Sequence, residues 1–112
     1  DCVEEWFKVV CDAEEPAPNS IQIVSDVCTF DWVLFCDLWE HALSIPPFIF
    51  YIPFDIATML PICGLSADVS RESLISLEGL DSDSKHNALY DAQVIRLIHQ
   101  KLQNDYAART DR

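Results

Sequence analysis

Residues 84–102 read SKHNALYDAQVIRLIHQKL. A short polar run gives way to an amphipathic helix, because Ala88, Ala92, Ile95, Ile98 and Leu102 recur at the three- and four-residue steps of one face. Asp91 falls on that stripe, four residues before Ile95 and seven before Ile98. The phase therefore aims a carboxylate at the core. Burying an unpaired negative charge is costly, so the position asks for a cation, a metal ion or dense hydrogen bonding. His86, five positions upstream of Asp91, adds a group suited to proton transfer near neutral pH.

The same arrangement recurs earlier in the chain. Ile21, Ile23, Val24, Val27 and Cys28 have the composition of a strand, and Thr29 can cap a following helix. That helix is expected over residues 31–43 with an inner face of Asp31, Leu34, Phe35, Leu38 and Ala42, closed by Pro46 and Pro47. Asp31 thus opens the apolar stripe of its helix, as Asp91 opens that of the last. The partly positive helix N-terminus favours an anion there but does not pair it. A metal ion held by both acids would. Asp26, at the end of the preceding strand, is the rival to Asp31; Asp37 lies off the stripe.

Around these two helices, residues 3–10 suit a helix, and residues 12–20, with Pro16 and Pro18, a surface loop. Residues 48–52 read as a buried strand, followed by a short helix opening at about residues 53–55. Residues 70–73 resemble a helix start, residues 80–85 a mobile polar segment and residues 104–112 a polar tail. The order helix, strand, helix, strand, helix, helix predicts an α/β fold with helices packed on a partial sheet, in a single domain over residues 1–112.

Composition narrows the function classes. Half of the 112 residues are hydrophobic, enough for a core without disulfides. Five cysteines, with no CxxC pair and no ordinary zinc spacing, favour a reducing interior, and no leader is evident, so a cytoplasmic location is expected. The apolar stretch 44–67 fails as a membrane span because Pro46, Pro47, Pro53 and Pro61 interrupt it and Asp55 would sit near its middle. A formal net charge of −12 repels phosphate backbones at long range. Divalent ions held between carboxylates would reverse that field locally, so a phosphodiester substrate remains compatible.

Three segments then carry a resemblance. HNALYDA at residues 86–92 resembles the third motif of the DEDDh class of 3'-5' exonucleases, a histidine five positions before an aspartate. FDWVLFCDLWE at residues 30–40 is similar to the second motif, an aspartate that follows an aromatic residue and opens a helix; FYIPFDIATML at residues 50–60 resembles the strand and helix between the two. This class, which has a ribonuclease H-like fold, includes RNase T, oligoribonuclease and proofreading exonucleases; within it the chain resembles the exoribonucleases similar to mycobacterial RNase AS, across about residues 3–103. The resemblance implies Mg²⁺ or Mn²⁺ held by Asp31 and Asp91, His86 as general base, and attack at the 3' end of single-stranded RNA or, less favoured, DNA. It also allows a homodimer.

One departure matters. The first family motif is a D-x-E on an opening strand, and Asp12-Ala13-Glu14 after FKVVC imitates it. Only nineteen positions separate Asp12 from Asp31, too few for the strands and helix expected between the motifs. The favoured expectation is a C-terminal portion whose first motif lies on a missing N-terminal segment, weak or inactive alone, with the apolar stripes of both helices exposed. The competing function is a noncatalytic acidic interaction domain on the same scaffold. His41 and His99 are expected at the surface. Trp32, Trp39, Phe30 and Tyr90 are expected mainly in the core, although each could stack on a base.

Overall fold

The computed structural model describes residues 2–80 and 87–110. They form α1 (Cys2–Val10), β1 (Val24–Ser25), α2 (Cys28–Cys36), β2 (Phe54–Asp55), α3 (Ile56–Ile62) and α4 (Ala88–Thr110), with 3₁₀ turns at Asp37–Trp39, Ala42–Ser44 and Arg71–Leu74. The two strands pair in parallel as a small sheet, giving a mixed α/β structure. The chain divides into two compact units, one of Asp1–Ile23 with Cys28–Phe54, the other of Val24–Val27 with Asp55–Arg112.

The first unit is built on aromatic packing. Phe7 from α1 meets Phe35 from α2 and Phe48 edge-on, with ring centroids 6.4 and 5.9 Å away, while Trp32 stacks on Phe35 at 5.7 Å. Val3, Ile21, Ile23, Trp39 and Ile45 close around buried Phe7, Phe48 and Ile49. The Trp39 indole Nε1–H donates to Glu4 Oε1 at 2.7 Å, which satisfies the ring's polar edge and ties the 3₁₀ turn to α1.

This packing corrects the reading of α2 in three ways. The helix starts at Cys28, so Thr29 lies inside it and is not its cap, and it tightens into a 3₁₀ turn after Cys36 instead of running to residue 43. The turn ends at Glu40, whose φ of 75° lies in the left-handed region and stops the helical path. The inward face is Trp32, Phe35, Cys36 and Trp39, whereas Asp31, Leu34, Leu38 and Ala42 are exposed. The bulkiest rings fix the rotation of the helix, about 100° from the phase that the leucines suggest.

The strand expected at 48–52 is reduced to a parallel bridge between Ile21 and Ile49 and the two-residue β2. Ile21 N–H donates to Phe48 O, Phe50 N–H to Ile21 O and Phe54 N–H to Ile23 O, so the ladder exists but is broken. Pro47 and Pro53 bring no N–H to it, and the Gln22 side chain, not a backbone amide, reaches Ile52 O at 3.0 Å.

The second unit packs α3, β1 and the Arg71–Leu74 turn on α4. Ile56 and Leu60 from α3 and Tyr90, Val94, Ile98 and Leu102 from α4 are buried. Gly64, at φ 84°, ends α3: its N–H donates to Pro61 O and the Leu65 N–H to Leu60 O, the paired bonds of a Schellman cap. Asn87 caps α4, its Oδ1 accepting from the Leu89 N–H at 2.8 Å.

Here too the phase differs from the sequence reading. The seam of α4 is Tyr90, Val94, Ile98 and Leu102, while Ala88 and Ala92 are exposed and Ile95 is half-buried. Two alanines carry little apolar area, so Tyr90 and Val94 set the rotation at the start of the helix. Asp91 is exposed in consequence, although it shares the angular position of Ile98 one heptad on. The helix also continues through polar residues to Thr110, where a tail was expected. The exposed stripes expected of both helices are found on α2 alone.

Candidate functional site

Asp31 and Asp91 each stand in the first turn of a helix, α2 in the first unit and α4 in the second. Both side chains are exposed, not directed into the core. Among the described residues, neither carboxylate has a hydrogen-bond or ion-pair partner. The case for a metal that rests on the cost of burying a charge therefore falls away for both. What remains at each position is an accessible carboxylate, an oxygen donor of the kind that suits Mg²⁺ or Mn²⁺. His86, the expected general base, and residues 81–85 of the polar segment lie outside the described residues.

The rival carboxylate has a different fate. Asp26, directly after β1, is gripped by Arg71 from the 3₁₀ turn: Nε donates to both oxygens, at 2.9 and 3.0 Å, and Nη2 approaches Oδ1 at 2.8 Å. Arg71 Nη1 also donates to the carbonyls of Ala67 and Val69, at 2.7 and 2.8 Å. The Asp26 carbonyl accepts the Ala57 N–H at the start of α3. Asp26 and Arg71 thus form a half-buried structural clasp within the second unit. Sequence reading flagged Asp26 but missed its partner. The available signal was weak: a strand-end acid beside an apolar core needs a cation, and the chain has only seven lysines and arginines to choose from.

Asp12 and Glu14, the imitation of the first motif, are exposed in the turn that follows α1. Residues of FKVV belong to that helix, not to a strand, so the local setting of a D-x-E strand is lacking. Among the described residues, no group of three or more histidine, cysteine, aspartate or glutamate side chains is placed to hold a metal ion. The cysteines are all free thiols. Burial and then the nearby Asp37 carboxylate push the Cys36 thiol up from its ordinary value, which keeps it protonated and a poor ligand.

Of the four aromatic residues that could stack on a base, Tyr90 is buried and Trp32 and Trp39 are half-buried, leaving Phe30 open. His41 is exposed and His99 half-buried on α4. Ser25, buried beside Asp26, has a hydroxyl with no partner among the described residues. No described helix is long and apolar enough to cross a membrane. Comparison with known proteins finds no family model, no curated protein and no solved structure that matches the chain.

Proposed function

We propose that the chain carries part of a metal-dependent 3'-5' exonuclease domain that hydrolyses phosphodiester bonds from the 3' end of single-stranded nucleic acid, RNA in preference to DNA. The observation that carries the reading is the matched placement of Asp31 and Asp91. Each is an exposed acid in the first turn of a helix, with no partner among the described residues, inside a segment that resembles an exonuclease motif. The competing acid, Asp26, is already held by Arg71.

In this reading Asp31 and Asp91 hold Mg²⁺ or Mn²⁺, and His86 takes a proton from the attacking water. When bound, the ions lower the pKa of that water and stabilise the leaving 3' oxygen. A noncatalytic acidic interaction domain is the second reading, favoured by the net charge of −12 and by the setting of Asp12 and Glu14 after a helix and not on a strand.

The test is the shortening of 3'-labelled single-stranded RNA, with DNA of the same sequence alongside. Slow, stepwise shortening that requires Mn²⁺ is expected, abolished by Asp91→Ala and reduced about a hundredfold or more by His86→Ala. Degradation that survives chelation and Asp91→Ala alike would point to a contaminating nuclease and sink the proposal.

A further inference from the structure

α2 is apolar on every side, its single charged residue being Asp31. A helix of that kind belongs in an interior. Trp32, Phe35, Cys36 and Trp39 face the first unit, but the opposite side is open: Phe30 is 70% and Leu34 66% exposed, with Val33 and Leu38 also uncovered. These residues follow the three- and four-residue steps that line one helix face. Such a contiguous apolar patch on a small unit marks an interaction surface.

Two acids lie within the patch. Asp31 and Asp37 sit three residues before and after Leu34, both exposed. Anything that covers Leu34 desolvates them, and desolvated carboxylates without cations strongly disfavour binding. The covering surface must therefore bring its own positive charge. A second copy pairing α2 against α2 cannot do so, because Lys8 is the sole lysine or arginine in residues 1–23 and 28–54 and already pairs with Glu5 at 3.3 Å. Such a dimer would set acid against acid.

We infer that the open side of α2 docks a basic amphipathic helix of another polypeptide. Its apolar residues cover Phe30, Val33 and Leu34, and its lysine or arginine side chains meet Asp31 and Asp37. This goes beyond the exonuclease reading: the docked helix competes with a metal ion for Asp31, while Val33, Leu34 and Asp37 belong to the docking surface alone.

The probe is a helical peptide of about 18 residues, with leucines at three- and four-residue steps and lysines flanking them, titrated calorimetrically into the protein. A scrambled peptide of the same composition and a glutamate-flanked version serve as controls. Binding is expected for the first peptide and is expected to weaken about tenfold or more with either control, with Leu34→Asp or with Asp37→Asn. Because Leu34 is exposed, the variant should keep its helical circular dichroism. Equal binding of the scrambled peptide, or no loss with Leu34→Asp, overturns the inference. So does a dimer in sedimentation that Leu34→Asp dissociates, which would name a second copy as the occupant. Leu34→Asp and Asp37→Asn change no residue assigned to the metal or to proton transfer, so RNA shortening and peptide binding fail separately.

Discussion

Arg71→Ala is expected to lower the unfolding free energy by about 2 kcal/mol, measured by urea denaturation. The guanidinium holds both oxygens of Asp26 and two backbone carbonyls, those of Ala67 and Val69. Removing it leaves a half-buried carboxylate and two carbonyls without their donor. Exposed ion pairs contribute little, but this one is partly shielded, with side chains 19% and 30% exposed. Arg71→Lys should recover only part of the loss, because a point charge cannot reproduce the planar fork. An unchanged midpoint in Arg71→Ala would mean that the clasp does not hold the second unit together.

Ile98→Ala should have the larger effect, about 3 kcal/mol. Ile98 is fully buried on the α4 seam, in the unit to which Ile56 and Leu60 of α3 also contribute fully buried side chains. Truncation removes buried area and leaves a cavity that a short helix ending in a Schellman cap can fill only in part. The neighbouring Ile95→Ala, at a half-buried position, should cost clearly less. Equal losses at the two positions would restore the phase suggested by Ala88, Ala92 and Ile95.

These two residues also show how far the sequence could be read. The existence of helices near residues 3–10, 31 and 91, the short helix after Pro53 and the loop at Pro16 and Pro18 follow from periodicity and proline chemistry. Their rotation does not. On α2, leucines and rings alternate so closely that both faces are apolar, and only the long-range packing of Trp32 and Trp39 around Phe7 and Phe48, with the Trp39 bond to Glu4, decides which one turns inward. On α4, equal weight for alanine and tyrosine shifts the expected seam and turns Asp91 inward, where the structure leaves it exposed. The strand at 48–52 looks continuous by composition, yet Pro47 and Pro53 lack the N–H groups that a ladder needs.

For the site, Asp31 and Asp91 were legible as helix-opening acids but not as exposed ones. The Asp26 clasp was not legible, since its partner lies 45 residues away and nothing local marks a contact at that distance. An exposed acid at a helix start is favourable to the dipole even without a ligand. The chemical question is thus whether the two acids act together, which neither periodicity nor burial decides.

Titration with Mn²⁺, followed by paramagnetic broadening of backbone amide resonances, addresses that question directly. If Asp31 and Asp91 belong to one metal site, the amides of both first turns should broaden together at the lowest Mn²⁺ concentrations, ahead of those near Glu14 and Glu15, and Asp91→Asn should abolish the effect at Asp31. Broadening spread evenly over the acidic surface, or an Asp31 response indifferent to Asp91→Asn, would contradict the shared site and with it the exonuclease proposal.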